Sequence, residues 1–337
     1  VPLGGSIAAR AAGPASGRLA VTLAVARGNG VGVGGGIATM AADGGDRHVL
    51  VPGNFAVPQW TPDGRFVVFV STDSYATWAV AASGGQPIQL APELSGPISP
   101  DGTRVVHPSG PPGGTAATSL VVQPIAETSS GLVTAGGPSL LGVSGFDPQW
   151  SPDGHRVLYA TQFGSSSGLA VVDADGTHRQ DLLASAPVQA LLLSAPGFSA
   201  DGSTVSFLGT DNHAYFVGAD GQNLRPALPD AVAGQSNSTA FATAWSPDHQ
   251  RLALLIDGAH GVAVVDTNRH LLASVRLSMQ ASPTGLSFDG SGQHIYYLGS
   301  PDSPPGLFNL YSIGLDGTRS HQLSSDGSIL LTPTVLP

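Results

Sequence analysis

The chain has 337 residues, 41% of them hydrophobic and 11% charged, with a formal net charge of −10 at pH 7. All 13 basic residues are arginine and there is no cysteine, which excludes disulfides, thiolate metal sites, cysteine nucleophiles, lysine Schiff bases and the usual P-loop lysine. The acidic balance works against a nucleic-acid partner, and 46 Gly and 27 Pro favour many turns over long helices.

No apolar run approaches the ~18 residues that a membrane-spanning helix needs. The chain opens on Val1, so the expectation is a soluble fragment of a longer protein, with a signal peptide or an anchor upstream.

In chain order, one turn motif recurs. Its copies are "GPASGRLAVTL" (13–23), "WTPDGRFVVFV" (60–70), "ISPDGTRVVH" (98–107) and "WSPDGHRVLYA" (150–160), then "FSADGSTVSF" (198–207), "WSPDHQRLALL" (245–255) and "FDGSGQHIYYL" (288–298). The last turn residues are Gly17, Gly64, Gly102, Gly154, Gly202, His249 and Gly292, spaced by roughly 46 residues on average. A period of that length built from β-type units indicates propeller blades. A second turn signal follows in register at Asp43-Gly44, Gly84-Gly85, Asp175-Gly176, Asp220-Gly221 and Asp316-Gly317, with Asn268 in its place in the sixth unit and no clear copy in the third.

Each unit therefore reads as four strands, A to D. In the fourth these are "DPQWS", "HRVLYAT", "LAVVD" and "HRQDLL". In the A–B turn Pro152 fixes φ, Asp153 can bond back to nearby amides, and Gly154 supplies the left-handed conformation. The aromatic ahead of the turn falls at one place in each unit, as a wedge between neighbouring blades would. The expectation is an all-β propeller of four-stranded antiparallel blades forming one domain over 1–337. Seven blades fit best, with six or eight compatible because the first and third units are degenerate. The tail "LTPTVLP" (331–337) echoes "FDPQWSP" (146–152) and is expected to close the ring as strand A of the first blade, with "IAARAAG" (7–13) as the other candidate.

The aromatic-Ser-Pro-Asp-Gly turns, together with "DADGTH" (173–178), resemble the TolB-like propeller family of WD40-like PD40 repeats. The resemblance covers nearly the whole chain and implies the fold more closely than the function. Relatives of that kind include periplasmic TolB, which binds partner proteins and a lipoprotein. Others are the substrate-gating domains of prolyl-oligopeptidase-like enzymes and the propellers of actinobacterial LpqB-type lipoproteins. No stretch here resembles the N-terminal α/β domain of TolB or a hydrolase domain.

Matches to catalytic motifs have simpler readings. "GSSSG" (164–168) fits a nucleophile elbow at Ser166, but a strand follows where a helix is needed. "GVGVGG" (30–35) fits a dinucleotide-binding loop, but its glycines oppose a helix, so it is read as a flexible B–C loop. "DADG" (173–176) is a hairpin turn, since an EF-hand would need Glu where Ala184 stands. The histidines are scattered, and His155 and His294, just after A–B turns, are read as solvated. The inner strands carry a single acid, Asp147, and no His. No cofactor or metal is implied.

The B–C loops show one pattern. Asp73, Asp211, Asp257 and Asp302 fall at similar offsets after the A–B turn, with Tyr75, Phe163, His213 and His260 nearby. Four carboxylates around one rim would attract a cation or a basic protein segment, although Asp also forms turns for its own sake. These readings predict a monomeric, non-enzymatic, extracytoplasmic binding propeller, periplasmic or at the cell surface. It would hold a protein or cell-envelope ligand on its loop face. The alternative is the gating domain of a prolyl-oligopeptidase-like hydrolase, or a propeller enzyme.

Overall fold

The computed structural model describes residues 17–27, 30–74, 76–91, 96–109, 118–128, 131–162, 167–191, 196–230, 239–256, 260–277, 281–299, 308–329 and 333–336. Every strand pair is antiparallel, and the elements among the described residues are strands β1 to β27.

The first sheet contains β1 (Arg18–Arg27), β2 (Gly30–Ala41) and β3 (His48–Val51). The next runs β4 (Phe55–Trp60), β5 (Phe66–Ser71), β6 (Thr77–Ala81) and β7 (Ile88–Ala91). Then come β8 (Arg104–Pro108), β9 (Thr118–Thr128) and β10 (Gly131–Thr134), followed by β11 (Ser139–Trp150), β12 (Arg156–Ala160), β13 (Leu169–Asp173) and β14 (Gln180–Asp181). Three regular meanders follow. These are β15 (Gly197–Phe198), β16 (Thr204–Leu208), β17 (Ala214–Gly218) and β18 (Arg225–Pro226), then β19 (Ala242–Trp245), β20 (Arg251–Ile256), β21 (Gly261–Asp266) and β22 (Leu271–Arg276). The last is β23 (Ala281–Phe288), β24 (His294–Gly299), β25 (Asn309–Gly314) and β26 (His321–Gln322). The tail strand β27 (Thr334–Val335) lies on β1, pairing Val335 with Leu19 and Thr334 with Ala20. It completes a four-stranded sheet in the order β27-β1-β2-β3.

The third and fourth units share a strand. β11 pairs with β9 through Ser139, Leu140, Ser144 and Gly145, then with β12 through Phe146, Gln149 and Trp150. The third unit keeps only a single bridge, Ile98 to Val105, where its inner strand would lie. Its second hairpin, which has no clear turn signal in the sequence, is made by β9 and β10, with Thr128 opposite Gly131.

One expectation fails here. Residues 30–35 are not a loop but the start of β2, in an unbroken ladder from Ala24↔Val33 to Arg27↔Gly30. The glycines allow close approach: a Cβ on Gly35 would lie 2.6 Å from that of Leu23.

Apolar clusters join each sheet to the next. Trp60 packs with Ala20 and Ile37 of the first sheet, and Phe66 and Leu90 pack with Val105 and Ile125. Trp150 packs with Val106 and Leu120, Phe198 with Leu158 and Val171, Leu254 with Phe216, and Phe288 with Val262 and Val264. A last cluster sets Tyr296 and Leu310 against Leu19, Val21 and Met40, joining the final sheet to the first. The aromatic ahead of the turn is thus the expected wedge, contributing about 2–3 kcal/mol where fully buried.

The turns behave as their chemistry requires. Ser151 Oγ donates to Asp153 Oδ1 at 2.6 Å and accepts the Arg156 amide at 2.9 Å, while Asp153 accepts the His155 amide at 3.0 Å. Gly154 has φ 70° and donates to the Ser151 carbonyl at 2.8 Å. The same carboxylate bonds recur at Asp63, Asp101, Asp201 and Asp248. In the last unit the two roles are exchanged. Asp289 stands where Ser usually does, and Ser291 Oγ donates to it at 2.6 Å. That carboxylate also accepts the His294 amide at 2.9 Å and lies 3.2 Å from His294 Nδ1. His294 is therefore not solvated as expected: it is 2% exposed and Asp289 is 0% exposed, because the displaced carboxylate gives the ring a buried partner.

Arginines clamp three of the wedges from the preceding unit. The Arg104 guanidinium lies 4.8 Å over Trp150 and donates to the Gly154 carbonyl at 3.0 Å. Arg156 lies 5.5 Å over Phe198 and donates to the Gly202 carbonyl at 2.6 Å, and Arg251 lies 5.7 Å over Phe288. Thr204 stands at this position in the fifth unit, and His249 fills the gap. It takes the glycine place of its own turn at φ 53°, stacks on Trp245 at 6.3 Å and bonds the Phe198 carbonyl through Nδ1 at 2.9 Å.

Candidate functional site

Antiparallel meanders put the A–B and C–D turns at one end of every sheet and the B–C and D–A connections at the other. Of the sequence-predicted site residues, Asp73, Asp211, His213 and His260 are described, and all belong to B–C connections. Tyr75, Phe163, Asp257 and Asp302 lie outside the described residues.

Asp73 is exposed. Its two oxygens lie 3.1 and 2.9 Å from Asn54 Nδ2, which donates to them. Asn54 sits in the connection between β3 and β4, and its carbonyl accepts the Thr72 amide at 2.9 Å. The B–C and D–A connections of this sheet are thus tied together. The sequence reading missed Asn54, whose partner is 19 residues away.

Asp211 builds a denser cluster. It accepts the Tyr215 hydroxyl at 2.6 Å and the His213 amide at 3.1 Å. The His213 ring brings Nδ1 to 3.4 Å from the same carboxylate, yet that nitrogen makes no hydrogen bond among the described residues. Tyr215 stacks on Phe207 at 5.5 Å. Burial, with the Asp211 carboxylate adding to it, pushes the Tyr215 hydroxyl up to about 12. The phenol is therefore a hydrogen-bond donor at neutral pH, and both Asp211 oxygens accept a bond, Oδ2 from Tyr215 and Oδ1 from the His213 amide. His260 is exposed, and its carbonyl accepts the Leu277 amide at 2.8 Å. Asp211 and His213 come together, whereas Asp73 belongs to another sheet with partners of its own.

The inner strands carry two unusual backbone sites. Val57 and Asp147, each just ahead of a proline, have φ 53° and 46°, beside register shifts in β4 and β11. Asp147 has an exposed side chain. Even so, desolvation by the protein around it pushes its carboxyl above the usual range.

No protein-family profile matches the chain, and no curated protein matches it in sequence. Solved structures do. A prolyl endopeptidase structure is 12% identical over 91% of this chain and 50% of its own, with a TM-score of 0.62. The nidogen/laminin complex is 9% identical over 95% of this chain and 99% of its own, with a TM-score of 0.52. The fold is a β-propeller. TolB from Acinetobacter baumannii is also matched, 15% identical over 94% of this chain and 82% of its own, with a TM-score of 0.49. At that score the resemblance to TolB stands on the repeated turns rather than on the superposition.

Proposed function

We propose that the chain is a seven-bladed propeller, closed by its tail strand, that serves as a binding module without catalysis of its own. Its loop face engages a protein or cell-envelope ligand. The blade number is supported by the apolar clusters that link every sheet to the next and the last to the first. Closure is supported by the pairing of β27 with β1.

The observation that carries the functional reading is a contrast between the two ends of the sheets. On the turn end, the A–B carboxylates repeat one set of bonds from unit to unit, as Asp153 does with Ser151 and His155. On the loop end, the exposed Asp73 and Asp211 take unlike partners, Asn54 in one sheet and Tyr215 with the His213 amide in another, on connections that differ in length, where propellers place recognition. With Asp257 and Asp302 they would form an anionic rim. Tyr75, Phe163, His213 and His260 would add aromatic and hydrogen-bonding surface. The repeated turns, which resemble those of TolB, support an extracytoplasmic location.

Replacing Asp73, Asp211, Asp257 and Asp302 by Asn tests the rim. Capture of a basic peptide probe, oligo-arginine, should weaken and lose its salt dependence, while the melting temperature holds, because Asn is also accepted in turns. Unchanged capture by the folded variant would reduce the four to turn-formers. A second reading has one observation in its favour: the chain spans half of the prolyl endopeptidase it matches. A hydrolase domain adjoining this segment in its reading frame would favour a gating role instead.

A further inference from the structure

The turn end of the β15–β18 sheet carries an open groove of about 850 Å³. Three arginines line it, Arg156, Arg225 and Arg269, against one carboxylate in its wall, Asp220. This is a local concentration of positive charge in a chain of net −10 with 13 basic residues in all.

The neighbouring unit shows what the same place looks like without that concentration. Its groove, of about 560 Å³, is lined by Arg104, His155 and Arg156 together with Asp173 and Asp175. The two hairpins correspond bond for bond. Asp173 and Gly218 each donate to the residue four further on, Thr177 or Gln222, and accept from the turn glycine, Gly176 or Gly221. The fifth unit has thus replaced the acid Asp173 by Gly218. Arg225, opposite Phe216 in the ladder, stands where Gln180 lies opposite Val171. In the sixth unit Arg269 takes the turn-glycine place at φ 68°, with its amide donating to the Asp266 carbonyl at 3.0 Å. An arginine there breaks the local rule that glycine obeys at Gly176 and Gly221.

What orders these guanidinium groups matters more than their number. Arg156 donates to the Gly202 carbonyl at 2.6 Å, and Arg225 to the carbonyls of Asn223 at 2.9 Å and Thr267 at 3.0 Å. Neutral carbonyls fix a guanidinium without cancelling its charge, and a guanidinium has five N–H donors. Arg269 is the exception, paired with Asp230 and bonded to the Leu228 carbonyl at 2.8 Å. Its Nε is buried without a hydrogen-bond partner among the described residues. Asp220 is committed to the Gln222 amide of its own turn at 2.9 Å.

We propose that this groove is a second binding surface, which takes an acidic peptide segment by pairing its carboxylates with the pre-ordered guanidinium groups of Arg156 and Arg225. Planar guanidinium suits bidentate carboxylate, and the open shape of the groove suits an extended segment. Long polyanions and anionic membranes extend past the groove and come within a Debye length, about 10 Å, of the acidic remainder of the surface, whereas a short segment can lie in the groove. The inference is independent of the loop-face reading, since no loop-face residue takes part.

The test uses a fluorescein-labelled hexaglutamate peptide and the whole chain, followed by anisotropy at low and high salt. Binding should appear at low salt and weaken as salt rises. Asn223→Asp with Asn268→Asp adds carboxylates to the groove and leaves every arginine bond in place. It should weaken binding by at least about tenfold, and Arg225→Gln should do the same. Asp175→Asn in the sister groove should leave binding unchanged, and the melting temperature of each variant reports its folding. The proposal is overturned if the folded Asn223→Asp/Asn268→Asp variant binds like the parent. It is equally overturned if vesicles of phosphatidylglycerol bind and the peptide does not, or if inorganic phosphate at equal concentration displaces the peptide.

Discussion

Arg104→Ala removes one clamp between units and keeps the Ser99 and Thr103 bonds of its own turn, losing there only a long 3.4 Å contact with Asp101. Two losses add. The bond from Nη2 to the Gly154 carbonyl at 3.0 Å is charge-assisted and worth about 1.5–2 kcal/mol at a part-buried site. The guanidinium 4.8 Å over Trp150 contributes about 0.5–1 kcal/mol, at the lower end because the Arg104 side chain is 29% exposed. The sum is about 2–3 kcal/mol. Urea unfolding followed by tryptophan fluorescence measures it as a lowered midpoint at unchanged slope. Arg104→Lys keeps the charge without the planar fork and should recover less than half of the loss. Arg276→Ala, at an exposed position of β22, is the control and should stay within about 0.5 kcal/mol of the parent. If Arg104→Ala is as mild as Arg276→Ala, the clamp is a packing coincidence and the reasoning fails.

Acid should unfold the protein through its turns. Burial works to raise Asp63 and Asp101, but the hydroxyl and amide donors of their turns, with the neighbouring Arg65 and Arg104, outweigh it and hold both at about 2. Asp153, Asp201 and Asp248 are lowered as well. Carboxyls depressed in the folded state stabilise it above their unfolded value near ~3.9 and lose that contribution as pH falls towards their folded value. Melting temperatures should hold above about pH 5 and fall between about pH 4 and pH 2, and Asp101→Asn should make that fall shallower. His249→Asn keeps a residue that tolerates positive φ but loses the stacking on Trp245 and the bond to the Phe198 carbonyl. It should cost about 1–2 kcal/mol in the same urea assay, and a neutral result would mean that His249 is only a turn residue.

Much of this was legible in the sequence because turn chemistry is local. Ser151, Asp153 and Gly154 complete their bonds within a few residues, so the motif announces its own geometry, and the aromatic ahead of it announces the wedge. Other features escaped because they depend on distant partners. Residues 30–35 have no side-chain pattern, and only the facing strand from Ala24 to Arg27 makes them a strand. His294 looks like any polar residue after a turn until the exchange of Asp289 and Ser291 is seen to supply a buried carboxylate. The third unit hid its last strands because β11 serves two units at once. The arginine groove collects residues from three hairpins, although Arg269 in a glycine position was a visible signal. On the loop end, the spacing of Asp73 and Asp211 was readable and their partners Asn54 and Tyr215 were not.

The central claim is that the tail closes the chain into one ring, so that the loop connections form a single continuous face. Because the chain has no cysteine, Ala20→Cys with Thr334→Cys tests it directly. These positions face each other across β1 and β27, within the reach of a disulfide if the strands pair as antiparallel neighbours. Oxidation should consume both thiols, produce a compact species on a non-reducing gel, and raise the unfolding midpoint by an amount that dithiothreitol abolishes. The stabilisation approaches the ~5 kcal/mol expected for closing a very long loop. Free thiols after oxidation of the folded protein, or intermolecular dimers in place of the internal bond, would contradict the closed ring.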